Sequence, residues 1–132
     1  MLKYIEVVTQ KRTHFEDITD AVQEVIDESG IDEGICCVYV PHTTAGVFIN
    51  ENADPDVKWD IEKTLDKLIP WEDQYSHVEG NAAAHIKSVL TGNSLYIPVK
   101  NGKLLLGTWQ GIFFAEFDGP RDRKVIIKVL EG

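Results

Sequence analysis

Ser94-Leu95-Tyr96-Ile97-Pro98-Val99-Lys100-Asn101-Gly102-Lys103-Leu104-Leu105-Leu106 decides the fold class. The first six residues read as an extended strand, and Pro98, which cannot donate to a ladder, places it at an edge or a bulge. Asn101-Gly102 is the strongest hairpin signal in the chain, because both positions accept the left-handed backbone of a tight turn. Lys103 to Leu106 therefore returns antiparallel. Ile112-Phe113-Phe114-Ala115-Glu116-Phe117 and Lys124-Val125-Ile126-Ile127-Lys128-Val129-Leu130 follow as two more strands. Glu116 interrupts an apolar run, so it needs a partner, a metal or its proton.

Immediately upstream, His77-Val78-Glu79-Gly80-Asn81-Ala82-Ala83-Ala84-His85-Ile86-Lys87-Ser88-Val89-Leu90-Thr91-Gly92 reads as a helix with polar groups at its start. Asn81 is a good N-cap and Gly92 a natural stop. Ala82, Ile86, Val89 and Leu90 recur at helical spacing and predict the buried stripe. His85 lies one turn after Asn81, and Gly80 lets the chain fold His77 back toward it. Two imidazoles, an amide and the free amides of a helix start then share one place, a suitable setting for a phosphate. A partly buried His85 beside an unrelated exposed His77 explains this stretch equally well.

Further back, Leu2 to Val8 alternates as a strand, with Phe15 to Ile18 as its expected hairpin partner across Lys11-Arg12. Ile18, Val22, Val25 and Ile26 then repeat at helical spacing, started by Asp17 or Thr19 and stopped by Gly30. Gly34 to Val40 is apolar on both faces and so expected in the centre of a sheet. His42-Thr43-Thr44-Ala45-Gly46 and Asn50-Glu51-Asn52-Ala53-Asp54-Pro55 bracket another extended segment, Val47 to Ile49, and present polar groups at strand ends. Asp54 caps a helix to Leu68 with Pro55 in its first turn, and Val57, Ile61, Leu65 and Leu68 facing in. Strands and three helices without a βαβ repeat make an α+β fold with a mostly antiparallel sheet, in one domain spanning 1–132.

The totals narrow the function. A chain of 132 residues supports one core. Its net charge of -9 opposes nucleic-acid and anionic-membrane partners, which need a basic face. No apolar run approaches the length of a membrane span and no signal-peptide pattern opens the chain, so the cytoplasm is the expected location. The adjacent Cys36 and Cys37 point to opposite faces of a strand, which argues against a disulfide and for core filling.

Several blocks together resemble the YjbQ-like family. They are Ser94 through Ile112, with Gly102 and Gly107-Thr108-Trp109-Gln110, His42-Thr43-Thr44-Ala45, Asn50 to Pro55, Gly80-Asn81, Ala84-His85-Ile86-Lys87 and Gly119-Pro120-Arg121. The resemblance covers essentially the whole chain. It implies a small α+β protein that forms homotrimers, labelled a secondary thiamine-phosphate synthase, with a site of clustered histidines near a subunit boundary. One departure is Ala83, where relatives often carry an aspartate two residues before the second histidine.

Carried onto this chain, the resemblance gathers His42, His77 and His85 into one site. Three neutral imidazoles with an open fourth position form a known zinc arrangement, with magnesium the alternative for a diphosphate substrate. Glu51, or failing it Glu116, is then the carboxylate that orients a ligand or takes a proton. Asn81 and Gln110 orient substrate, and Arg121 offers a two-pronged fork for phosphate. Trp109 reads as a core or interface aromatic. The implied reaction joins hydroxymethylpyrimidine diphosphate to a thiazole phosphate. The rival readings are a metal-dependent hydrolase of a small phosphorylated metabolite and a non-catalytic trimeric protein that holds such a metabolite or a metal.

Overall fold

The computed structural model describes residues 1–132 as strands β1 (Leu2–Val8), β2 (His14–Asp17), β3 (Gly34–Tyr39), β4 (Ala45–Glu51), β5 (Ser94–Lys100), β6 (Lys103–Leu104), β7 (Gln110–Glu116) and β8 (Asp122–Glu131). Its helices are α1 (Thr19–Ser29), α2 (Pro55–Leu68) and α3 (Ala82–Thr91). Every strand pairing is antiparallel. The strands form two sheets, one ordered β1-β8-β3-β5-β6 and the other β2-β7-β4. The α+β class with three helices holds.

The Asn101-Gly102 turn closes the β5–β6 hairpin with φ of 53° and 71°. On that side β6 pairs with Val99 and Lys100 only, and just beyond it the Pro98 carbonyl accepts from the Leu105 amide at 2.8 Å. The expected β1–β2 hairpin does not form. β1 pairs with β8 and β2 with β7, so the two segments belong to different sheets. Strand β1 instead completes the larger sheet, where Val7 joins the main core.

That core lies between the inner face of the five-stranded sheet, α1 and one face of the smaller sheet. Cys36, Val38, Ile97, Val125 and Ile127 meet Val22 and Ile26 from α1 and Val47, Ile112 and Phe114 from the second sheet. Burying such side chains contributes about 1.5–3 kcal/mol each before chain entropy is counted. A second cluster, Phe15, Phe113, Ala115, Phe117 and Ala84, fills the space between the other face of the smaller sheet and the helices. There Phe15 meets Phe48 edge-on and Phe48 stacks on Phe113.

Strand β3 is central, as expected, but one of its faces is open: Ile35 and Tyr39 are exposed. Asp54 caps α2 through its carboxylate, which accepts from the Asp56 amide, with Pro55 beginning the helix. Ile61 and Leu65 pack inward as expected, whereas Leu68 is exposed.

The α3 expectation is reversed on most of its length. Ala82 is buried, but Ile86, Val89 and Leu90 are exposed, and Ala83, Ala84, Lys87 and Ser88 face in. Small residues win this face because the helix lies close to β4. The Ser88 hydroxyl donates to the Ala45 carbonyl at 2.6 Å, and the Val47 amide donates to the Gly92 carbonyl at 3.0 Å. A β-carbon at Gly46 would sit 2.5 Å from that same carbonyl oxygen. Lys87 enters the protein only by pairing with Asp66 of α2.

Candidate functional site

The end of the molecule where β4 begins and β7 ends carries most of the polar groups singled out from the sequence. Gly80, with φ of 81°, turns the chain into α3. It brings the His77 ring within 5.2 Å of the His85 ring, centroid to centroid, at 60° between planes. His85 also lines a cavity of about 430 Å³ with His42, Thr43, Ser88, Val89, Gly92 and Asn93. The first-expected pairing of His77 with His85 is therefore present, and His42 reaches the same cavity from the β3–β4 connection.

His42 is held by the backbone. Its Nε2 accepts a hydrogen bond from the Lys124 amide at 3.0 Å. Burial, and next the Arg123 cation, hold its pKa below the ordinary 6.5 and outweigh the opposing influence of Glu116. The ring is thus neutral at pH 7.

Glu116 and Arg123 lie behind it, inside the protein. Glu116 is fully buried and Arg123 nearly so. Strand β7 points Glu116 toward the larger sheet, and β8 points Arg123 back, in step with Val125, Ile127 and Val129. Arg123 Nε donates to Glu116 Oε1 at 2.8 Å, and Arg123 Nη2 bonds both Glu116 Oε2 and the Thr44 hydroxyl. The Thr9 hydroxyl and the Asp118 amide complete the carboxylate's partners at 2.8 and 3.0 Å. Burial alone would raise the Glu116 pKa, but Arg123, the Asp118 amide and Thr9 together hold it below the usual carboxylate value. Glu116 is therefore an ionised structural group, which selects the partner from the three alternatives of a partner, a metal or its proton. Arg123 was missed in the sequence, although its period-two spacing with Val125 and Val129 marks it as inward-facing.

Asn81 stands at the cap position of α3 without making a side-chain cap bond. Its Nδ2 donates instead to Asp118 Oδ2 at 2.9 Å, which leaves Asn81 Oδ1 buried without a donor. Arg121 reaches the same Asp118 oxygen at 3.0 Å and the Asp118 carbonyl at 2.8 Å. Half of the arginine remains exposed, but part of its fork and charge is already used on Asp118.

Glu51 and Gln110 do not join this cluster. They pair with each other at the opposite end of β4 and β7, six residues from the Ala45–Glu116 pair, or roughly 20 Å at strand spacing. Glu51 Oε2 accepts from the Asp54 amide at 3.2 Å, and Gln110 Oε1 accepts from the Gly107 amide at 2.8 Å. Both therefore shape the connections beside them. Trp109, read as a core or interface aromatic in preference to a stacking platform, is 63% exposed in the single chain and so is not a core residue.

The histidines do not fit the expected zinc or magnesium site within one chain. His77 and His85 adjoin, but no group of three or more His, Cys, Asp or Glu residues is arranged to hold a metal ion. His42, the expected third ligand, spends its Nε2 lone pair on the Lys124 amide. No helix is long and apolar enough to cross a membrane.

Known proteins share this architecture throughout. A UPF0047 protein of Bacillus subtilis, YugU, is 52% identical over 131 residues, covering 98% of this chain and 99% of its own. A UPF0047 protein of Methanocaldococcus jannaschii is 55% identical over 130 residues, with 98% and 94% covered. The crystal structure of an uncharacterized conserved protein of the YjbQ/UPF0047 family from Clostridium acetobutylicum superposes with a TM-score of 0.96 at 55% identity, covering 97% of this chain and 99% of that one. The family model described as UPF0047 protein YjbQ-like matches residues 3–132, and with the fold and these relatives in agreement over nearly every residue, the chain belongs to the YjbQ-like UPF0047 family.

Proposed function

We propose that this protein is an enzyme of small phosphorylated metabolites, acting at the cavity between His42 and His85, and that it works as a homotrimer. The observation that carries the reading is the adjacency of His77 and His85 beside a polar cavity of about 430 Å³. An imidazole can give a proton to or take one from a reacting group, and a cavity of this size accepts a small metabolite.

The reaction to assay first is the one that the family resemblance suggests. The nitrogen of a thiazole phosphate forms a bond to the methylene carbon of hydroxymethylpyrimidine diphosphate while the bond from that carbon to the diphosphate oxygen breaks. Thiamine phosphate and diphosphate are the products. In this reading Thr43 and Asn93 supply hydrogen bonds at the cavity wall, and the free part of Arg121 supplies positive charge at its side. Purified protein supplied with both half-molecules should release diphosphate and form thiamine phosphate, and His77→Ala and His85→Ala should each lower turnover about 100-fold or more. Absence of product from the wild-type protein would remove the transferase reading. Product formation undiminished in both variants would remove the histidines from it.

The trimer is supported by the outer face of the five-stranded sheet. Outward positions there hold Leu2, Tyr4 and Val8 on β1, Ile35 and Tyr39 on β3, Tyr96 on β5 and Leu130 on β8, all exposed. Glu6, Lys124 and Lys128 lie on the same face, so it is mixed, but an antiparallel sheet that faces water carries polar residues at most such positions, and this many exposed aromatic and aliphatic side chains suit a partner surface. Light scattering on the purified protein should give three times the chain mass of 14.9 kDa.

A further inference from the structure

We infer that His42 meets its ligand as a neutral ring with the proton on Nδ1, donating a hydrogen bond to an anionic oxygen of a phosphate or carboxylate, and does not serve as a metal ligand. The anion belongs to the function proposed above, on which that half rests. The position of the proton stands independently of it.

The assignment starts from the Lys124 amide. A backbone N–H can only donate, so the Nε2 that receives it at 3.0 Å must present a lone pair. Protonation at Nε2 would set one N–H against another and break the contact. A neutral imidazole carries a single proton, which therefore lies on Nδ1.

Nδ1 is also the ring nitrogen left for a ligand. It has no partner within the protein, and it is not sealed away, because the only buried side-chain nitrogen or oxygen without a partner is Asn81 Oδ1. His42 lines the cavity, so a molecule that uses this nitrogen meets a donor. The complementary group is an acceptor. Arg123 is spent on Glu116, so the cation that favours an anionic acceptor here is Arg121, half exposed and with only part of its fork used on Asp118.

Metal ligation would need the opposite arrangement. A ligating histidine offers a lone pair to the metal and typically donates its other N–H to a carboxylate or carbonyl. Here the second nitrogen accepts from an amide, so one lone pair is used and the other nitrogen is protonated.

Long-range proton–nitrogen correlation spectra of histidine-labelled wild-type protein near neutral pH read the tautomer without any ligand. The expected pattern for His42 is a protonated Nδ1 and an unprotonated Nε2, unchanged by stoichiometric Zn²⁺. Titration with inorganic phosphate and, separately, with acetate should shift His42 Nδ1, and the larger response identifies the anion class. A protonated Nε2, or a coordination shift of either His42 nitrogen with Zn²⁺, overturns the assignment of the ring. No response of Nδ1 to either anion overturns the ligand class, whatever the turnover assay gives. As a second readout, His42→Asn keeps a donor near the Nδ1 position and should hold phosphate within about threefold of wild type, while His42→Leu should weaken it about tenfold or more. Equal binding by the two variants also overturns the donor role.

Discussion

Arg123 Nε lies 2.8 Å from Glu116 Oε1 across the gap between the two sheets, and both side chains are shut off from water. The pair ties the end of β7 to the start of β8 and, through Thr44, to the segment that leads from His42 into β4. It supports the candidate site from behind, because the Lys124 amide that holds His42 is the next residue along the chain.

Breaking this pair from one side should be severe. Arg123→Met leaves a buried carboxylate without its counter-ion and should cost about 3–5 kcal/mol in urea denaturation. The double variant Glu116→Leu/Arg123→Met removes both charges and should lose less than the single one. A double variant at least as unstable as Arg123→Met would show that the remaining contacts of Glu116, and not its charge pairing, dominate.

Stability should fall in two steps as the solution is acidified. The folded-state pKa values of His42 and Glu116 both lie below their ordinary values of 6.5 and 4.5. In each case the unfolded chain takes up the proton first, so the group's contribution is complete above the ordinary value and is lost as pH drops through the folded one. The first decline therefore begins near pH 6.5 and the second near pH 4.5. Urea midpoints measured against pH should show the upper step flattened in His42→Asn and the lower one flattened in Glu116→Gln.

Gly46→Ala should push α3 away from β4. The added carbon would stand 2.5 Å from the Gly92 carbonyl oxygen, a backbone atom that cannot rotate aside. Overpacking of this kind costs about 1–3 kcal/mol. Thermal melting should register the loss, and the His85 ring signals should move although the substitution is not in contact with the ring. A variant with unchanged melting and unchanged ring signals would mean that the helix is not seated against the strand.

Charging the outer sheet face should dissociate the proposed trimer while leaving each chain folded. Tyr4 and Tyr96 are 60% and 73% exposed in the single chain and support no core packing. Tyr4→Glu/Tyr96→Glu should therefore keep the circular dichroism spectrum and shift the light-scattering mass to one chain. A trimer that survives the double change would place the subunit contact on another face.

Residue order alone determined what depends on neighbours a few positions away. Asn101 and Gly102 specify a tight turn wherever the hairpin stands and Asp54-Pro55 starts α2, because each effect is a matter of local backbone geometry, whereas the sequence allowed His77 to fold back on His85 without deciding it. That Glu116 needs a partner, a metal or its proton was legible, since an unpaired carboxylate in an apolar strand is costly, but which of the three was not. Tertiary structure decided the rest. It chose Arg123 over Arg121 as that partner, because strand direction sends residue 123 into the core and residue 121 to a turn. It separated β1 from β2, and it sent Glu51 and Gln110 to the far end of the sheet from His42. It also buried the small side of α3, since close approach to β4 outweighs the hydrophobicity of Ile86, Val89 and Leu90. Long-range pairing and close packing are properties of the assembled chain, and no window of adjacent residues contains them.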